Sequence, residues 1–213
     1  MNNDCIVNRY DSYGSSEVVR VAYPIPFYTQ MADFNDKDLQ GFKNKEEAEY
    51  WQCRGCGIAS LKMIIDGFNR FRNMDDSLPY GSLIYKGDED GAHCDAGWIH
   101  TGLVKLAEDY DIQGQAHRNA EAEDVQAEIE NNRPCIVSVT PAFNGGKTDE
   151  NGNVRRKGGH LIVVKGVVKE NGVLTGFIVN HPSSFLPLNL ESYFVNVEDF
   201  RNSFSGAFMS FWI

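Results

Sequence analysis

The chain has 213 residues, a formal net charge of −10 and a hydrophobic fraction of 42%. This length fits one large domain, and the apolar content suffices for a packed core. The acidic balance argues against binding to nucleic-acid phosphates or to an anionic membrane surface. No apolar run approaches the roughly 18 residues that a membrane-spanning helix needs. We therefore expect a globular protein with neither nucleic-acid binding nor membrane insertion, and its oligomeric state stays open.

The N-terminal residues 1–22 are predicted to form an extension, either a tail or a loosely packed strand, because they are polar and mixed in composition. They lack the basic start and apolar core of a signal peptide, which favours a cytoplasmic location, or a secreted one if such a peptide has been removed. Residues 23–213 are predicted to form a single domain. It begins with an extended segment containing Pro24 and Pro26 and reaching Gln30.

A buried helix with a cysteine at its first turn is the most informative feature of the sequence. Four apolar residues recur at the i, i+3, i+4, i+7 spacing of a helix, namely Leu61, Ile64, Ile65 and Phe68. Cys56, flanked by Gly55 and Gly57, directly precedes this run. The unpaired N–H groups and the dipole of a helix start favour an anion such as a thiolate. Cys56 is therefore a candidate nucleophile, with a buried structural cysteine as the alternative.

The five cysteines do not follow the spacing of a disulfide scaffold. Cys53 and Cys56 form a Cys-x-x-Cys pair, which also fits a redox centre or half of a zinc site completed by His93 and Cys94. Adjacent residues rarely both ligate one tetrahedral ion, so we expect no metal and no other cofactor. We assign no role to His93, nor to two further histidines, His100 and His117.

Helical patterns dominate the first part of the chain and strand patterns the second. Helices are predicted near residues 46–49, 61–68, 98–110 and 120–131, with a surface loop over 86–97. Strands are predicted over 135–139, 160–168, 173–180, 193–197 and 207–213, with a turn at Asn171-Gly172. This order predicts an α+β fold, in which an N-terminal helical part packs on a C-terminal antiparallel sheet.

His160 is the best candidate for a base that activates Cys56. It follows Gly158 and Gly159 and opens a predicted strand, so it could face the cysteine helix. An imidazole beside a thiol forms the Cys–His dyad of nucleophilic catalysis, in which a third group orients the imidazole. Asn180 and His181, at the end of the partner strand, are candidates for that third group. A further candidate, Gln30, could donate its amide N–H to the oxyanion of an acyl intermediate.

Four motifs in order resemble the bacteriocin-processing (double-glycine leader) peptidases and their papain-fold relatives. They are Pro26-Phe-Tyr-Thr-Gln30 with Gly55-Cys-Gly-Ile-Ala-Ser60, the helix and strand around Asn132-Arg-Pro-Cys-Ile-Val-Ser-Val139, Gly158-Gly-His-Leu-Ile-Val-Val-Lys-Gly166, and Ile178-Val-Asn-His-Pro182. The resemblance runs from about Tyr23 to the C-terminus and implies a papain-like cysteine peptidase fold. It also implies that Cys56 is the nucleophile, His160 the general base and Gln30 the oxyanion-hole residue.

One position departs from that family pattern. The family usually has Asn-Asp-Pro where this chain has Asn180-His181-Pro182, and the Asp is its third catalytic residue. Side chains alternate along a strand, so only one of Asn180 and His181 can meet His160 unless a bulge intervenes. The family register favours His181, whereas the use of Asn as the orienting residue in many papain-like enzymes favours Asn180.

These observations predict a cysteine peptidase or related acyl-transfer enzyme that acts on a peptide or protein substrate through a Cys56 acyl-enzyme. Because the Asp is lost, the alternative is a catalytically weakened or inactive papain-like domain that binds peptides. Hydrolysis, transpeptidation and deamidation share the acyl-enzyme, so the sequence leaves the choice among them open.

Overall fold

A computed structural model describes residues 16–143, 145, 147–148, 150–152 and 154–213. Within them lie the helices α1 (Lys45–Gln52), α2 (Cys56–Phe71), α3 (Tyr80–Glu89), α4 (His100–Glu108), α5 (Ala122–Glu130) and α6 (Val197–Ser203). The strands are β1 (Ser16–Arg20), β2 (His93–Cys94), β3 (Gly97–Trp98), β4 (Gln113–His117), β5 (Cys135–Val139), β6 (Lys147–Thr148), β7 (Val154–Arg156), β8 (His160–Glu170), β9 (Val173–His181), β10 (Leu190–Asn196) and β11 (Phe204–Trp212). None of the helices in this part of the chain is both long and apolar enough to cross a bilayer.

The main sheet is antiparallel and has seven strands. Six follow the order β10-β9-β8-β5-β11-β4, and β1 also pairs with β8. One edge of β8 is divided, because β5 pairs with its first half and β1 with its second half. The turn from β8 to β9 has positive φ at both Asn171 (51°) and Gly172 (79°), the backbone of the two-residue hairpin that this dipeptide predicts.

Helix α2 packs against the sheet along β8. The residues that form its predicted apolar stripe, Leu61, Ile64, Ile65 and Phe68, are fully buried. The Ser60 hydroxyl donates to the Leu161 carbonyl at 3.1 Å and ties the first turns of α2 to the start of β8. A buried Asp66 accepts a hydrogen bond from Lys62 at 2.8 Å, so the charges inside this helix are paired. The prediction of an α+β fold with helices packed on an antiparallel sheet is confirmed.

The structure differs from the sequence-based prediction in the middle of the chain. The predicted loop over 86–97 is wrong, because α3 continues to Glu89 and the two short strands β2 and β3 follow. Strand β4 is polar and was not predicted; it pairs with the outer edge of β11. The strand predicted over 193–197 runs from Leu190 to Asn196, where Asn196 accepts a hydrogen bond from the Asp199 N–H and caps α6.

Within the predicted N-terminal extension, the described residues Ser16 to Arg20 form β1. Val19 of this strand is buried. Residues 1–15 of the predicted extension lie outside the described residues. The prediction that the domain begins at Tyr23 remains a prediction.

Candidate active site

The first turn of α2 is held by an aromatic ring. Cys56 is the first residue of the helix and Gly55 its N-cap. A Cβ at Gly57 would lie 2.5 Å from Cγ of Trp98, so the indole lies directly on the backbone at this glycine. The indole Nε1 also donates to the Arg54 carbonyl at 2.8 Å. Trp98 thus fixes the turn that presents the cysteine.

Tyr80 packs against the opposite side of this turn. A Cβ at Gly55 would lie 1.7 Å from the Tyr80 hydroxyl oxygen, so only glycine fits there. The Tyr80 hydroxyl donates to the Gln30 carbonyl at 3.3 Å. Neither Tyr80 nor Trp98 was predicted to be part of the site. The two glycines around Cys56 are the sequence signal that large side chains pack closely there.

His160 enters the site from the start of β8. The two glycines before it have φ of 92° and 93°, a backbone region that residues with a side chain rarely adopt. A Cβ at Gly158 would also lie 2.7 Å from the Ser138 hydroxyl. This turn places His160 in the wall of a cleft of about 450 Å³ that Cys56 also lines. The two residues come from different elements and meet at one cavity.

The buried imidazole of His160 has one nitrogen available. Its Nε2 has no hydrogen-bond partner among the described residues, and the Pro182 backbone carbonyl lies near enough to the ring to favour its protonated form. Burial and the neighbouring His181 lower the pKa of His160 to about 3, although the Pro182 carbonyl opposes this shift. His160 is therefore neutral at neutral pH, with Nε2 as a free acceptor when Nδ1 carries the proton.

The two candidates for the orienting group lie in different surroundings. The His181 ring centroid is 4.7 Å from that of His160, its Nε2 is hydrogen-bonded to the Pro141 carbonyl at 2.8 Å, and its buried Nδ1 has no partner among the described residues. Asn180 donates to the Pro26 carbonyl and accepts from the Ser192 N–H, both at 2.9 Å. The structure thus brings His181, and not Asn180, next to His160.

Gln30 is buried beside α1 and does not line the cleft that holds Cys56. Its side-chain amide donates to the Gln52 backbone carbonyl at 2.8 Å, which uses one of its two hydrogens, while its side-chain oxygen Oε1 has no partner among the described residues. The second amide hydrogen is free to serve an acyl oxyanion if the cleft opens toward it.

The thiol and the imidazole are both neutral at rest. Burial raises the pKa of the Cys56 thiol, and backbone groups of Leu161, Gly57 and Cys56 itself offset only part of that shift. No carboxylate among the described residues contributes to the pKa of His160. The site can therefore perform nucleophilic attack with proton transfer, but it does not store a thiolate–imidazolium pair.

Comparison with known proteins identifies relatives of this arrangement. A family model described as the Peptidase_C39 like family matches residues 23–203. A crystal structure from Bacillus anthracis, described as a C39-like peptidase, is 15% identical, with a TM-score of 0.56 over 91% of this chain and 97% of that one. Digestive procathepsin L 3 from the larval midgut of Tenebrio molitor is 16% identical, with a TM-score of 0.55 over 95% of this chain and 71% of that one. The predicted papain-like fold is confirmed.

A third structure is a double-glycine motif protease from an AMS/PCAT transporter, crystallised with its leader peptide. It is 21% identical over 73% of this chain and 82% of that one, and its TM-score of 0.46 is too low to carry an argument about binding. No curated protein sequence matches this chain.

Proposed function

Because this chain belongs to the Peptidase_C39 like family, we propose that it is a cysteine peptidase whose nucleophile is Cys56 and whose base is His160. The observation that carries the proposal is that α2 and β8 bring these two side chains into the wall of the same cleft. The free Nε2 of His160 supports it, because a buried nitrogen without a partner is available for a proton from the thiol.

The reaction follows from these groups. As Sγ of Cys56 attacks the peptide carbonyl carbon, the thiol proton passes to Nε2 of His160 and the carbonyl oxygen becomes an oxyanion. The backbone N–H groups at the start of α2 stabilise that oxyanion, and the Gln30 amide, which does not line the cleft in this structure, joins them once the cleft opens toward it. The C–N bond then breaks and the amine leaves with the proton from Nε2. Water next attacks the acyl carbon and gives a proton to His160; the C–S bond breaks, and the proton returns from Nε2 to Sγ to restore the thiol.

Proton transfer accompanies the attack, because neither resting group is charged. The Pro182 carbonyl orients the imidazole of His160, a role that an Asp carboxylate has in the family pattern. The carbonyl contributes a dipole and not a full negative charge. A dipole stabilises the imidazolium less than a full charge does. We therefore expect slow turnover.

A peptide-binding domain without catalysis is the second candidate. It is favoured by the same observation, that no carboxylate among the described residues contributes to the pKa of His160. The two functions differ at Cys56, because only the enzyme forms a covalent bond to a substrate carbonyl.

The test uses a library of peptidyl acyloxymethyl ketones, which alkylate an active-site thiol, with intact-mass analysis and peptide mapping. The peptidase is expected to be modified at Cys56, and Cys56→Ala to lose both modification and turnover. The matched control is Cys53→Ala, which removes the exposed cysteine of the same Cys-x-x-Cys pair and should keep most of the activity. Equal losses in both variants would point to a Cys-x-x-Cys redox or metal site, and binding without modification would establish the peptide-binding domain.

A further inference from the structure

The cleft that holds Cys56 and His160 continues into a second cavity of about 670 Å³. The two cavities share wall residues, among them Trp98, His100, Ser138 and Gly159. We call the second cavity, whose wall also contains Arg118, Lys157 and Ser205, the distal cavity. Together the two cavities form one groove, and the catalytic pair occupies only its first part.

The groove crosses the sheet from β8 toward β4. His117 pairs with Phe208, Phe208 with Val137, and Val137 with Ile162. These pairings place three strand spacings, about 14 Å, between β8 and the end of β4, where Arg118 follows. From the other direction, Lys157 lies three residues before His160, so its Cα is at most about 11 Å from that of His160.

Two cations in the wall of the distal cavity have no carboxylate partner among the described residues, and the carboxylate of the groove, Asp95, lies in the wall of the first cavity. Arg118 is exposed and has no hydrogen bond or ion pair with a described residue, and Lys157 donates only to the Arg201 carbonyl, at 2.8 Å. Among described residues, no Asp or Glu lines this cavity. By contrast, several cations elsewhere are paired with carboxylates, namely Lys62, Arg70, Lys86, Arg133, Lys169 and Arg201.

Neutral donors lie in the same wall as the two cations. Ser138 and Ser205 both line the distal cavity, and the Gly158 turn packs against their side chains. Burial lowers the pKa of His100, a residue in the wall that both cavities share, and the charge of Arg118 lowers it further. Arg118 therefore lies close enough to act on the wall that the two cavities share.

We propose that the distal cavity binds a carboxylate of the substrate, three or four residues from the bond that Cys56 attacks. The spacing follows from an extended peptide, which advances about 3.3 Å per residue and covers 11–14 Å in three or four residues. The inference rests on the proposed peptidase function for the position of the attacked bond. The chemistry of recognition, two cations and hydroxyl donors for one carboxylate, is that of an acidic side chain or a peptide C-terminus.

The test measures binding to full-length Cys56→Ala, so that it does not depend on turnover. The probes are randomised decapeptides, acetylated and amidated at their ends, in which one position at a time is fixed as Glu or Gln; a second set has a free C-terminal carboxylate. We expect tighter binding of Glu than Gln at one position, by about three- to fivefold at low salt, with the preference weakened by 0.5 M NaCl. If the free-acid set alone shows the gain, the carboxylate is the substrate C-terminus.

Variants of the distal cavity complete the test. Adding Arg118→Gln, alone and with Lys157→Gln, should remove the Glu preference while thermal unfolding shows that the fold is kept. Lys105→Gln, on the exposed side of α4, removes the same charge away from the groove and should leave the preference unchanged. Arg118→Glu should reverse the preference toward Lys-containing peptides.

The outcomes separate the two proposals. A Glu preference that depends on Arg118 in a protein that cleaves and acylates nothing would retain the distal site and overturn the peptidase function. Cleavage of peptides without any Glu preference, a preference untouched by the distal variants, or no binding of any library member would overturn the distal site.

Discussion

At the scale of single residues, the proposed catalytic pair combines a thiol whose pKa is raised with an imidazole whose pKa is lowered to about 3, both chiefly by burial. Each shift favours the uncharged form. A cysteine at a helix start is usually expected to gain thiolate character, but at Cys56 desolvation outweighs the local N–H groups. Both groups are therefore expected to be uncharged at rest at neutral pH.

The first prediction concerns this neutral state. The rate constant for alkylation of Cys56 by iodoacetamide should rise with pH by about tenfold per unit below the thiol pKa, because only the thiolate reacts. Peptide mapping by mass spectrometry follows Cys56 separately from the other free cysteines. A rate constant that is flat between about pH 5 and about pH 8 would show a thiolate–imidazolium pair and contradict the prediction.

Asn180 is the subject of the second prediction. Its buried amide pairs with the Pro26 carbonyl and the Ser192 N–H, so Asn180→Ala leaves a half-buried carbonyl and the N–H of an exposed residue without this partner. The free energy of unfolding should fall by about 1–3 kcal/mol, measured by urea titration. The folded variant should keep the pH dependence of kcat/KM. Unchanged stability together with lost activity would instead make Asn180 the orienting residue of His160.

The parts of the site that the sequence predicts are those marked by residue type. Cys56 and His160 are flanked by glycines and follow recognisable motifs, and the alternation of side chains along β9 correctly requires Asn180 and His181 to face different surroundings. The Pro182 carbonyl could not be predicted, because a backbone carbonyl has no sequence signature. Trp98 and Tyr80 reach the site through tertiary packing, which periodicity within one segment does not report.

At the scale of secondary-structure elements, α2 could be predicted from the sequence and α3 could not. Helix α2 has 16 residues with a clear apolar spacing, which outweighs its two glycines, whereas α3 has only 10 residues, among them Gly81 and Gly87, which weaken its helical pattern. In the structure, a Cβ at Gly81 would lie 2.6 Å from the backbone nitrogen of Phe42, and one at Gly87 would lie 3.0 Å from the Trp98 ring. The two glycines that weaken the helical pattern of α3 allow Phe42 and Trp98 to pack closely against it.

The contact between Gly57 and Trp98 gives the third prediction. Gly57→Ala should lower the free energy of unfolding by about 1–3 kcal/mol, because the new methyl group forces the indole away from the start of α2. The double variant with Trp98→Ala should show a smaller effect of the same methyl group, a coupling that thermal or urea unfolding measures. Equal costs of Gly57→Ala in both backgrounds would mean that the indole does not press on this turn.

At the scale of the whole molecule, the fourth prediction links the active site to acid stability. The folded pKa of His160 lies below the ordinary value of about 6.5, so the unfolded chain binds its proton first as the pH falls. The free energy of unfolding keeps its full value with respect to His160 above about pH 6.5. Between that pH and about pH 3 it falls by up to about 1.4 kcal/mol per pH unit. His181, whose pKa is also lowered by burial, adds in the same direction.

The measurement compares urea unfolding of the parent and of His160→Gln at several pH values in this window. Glutamine keeps an amide donor for the Pro182 carbonyl but does not titrate, so the variant should lose stability less steeply toward acid. Acidic residues affect both proteins alike, and the difference between the slopes isolates the histidine. Identical slopes would contradict the burial of a neutral His160.

The hydrogen bond between Ser60 and Leu161 joins two residues that are 101 positions apart in the chain. The nucleophile is synthesised with its helix long before the strand that carries the base, and contacts of such high sequence separation form late in folding. During synthesis at about 5–20 residues per second, the thiol would wait at least several seconds without its imidazole. On the proposed function, a growing chain carries the thiol without its base, and it can cleave peptide bonds only after the second half of the molecule has emerged and docked.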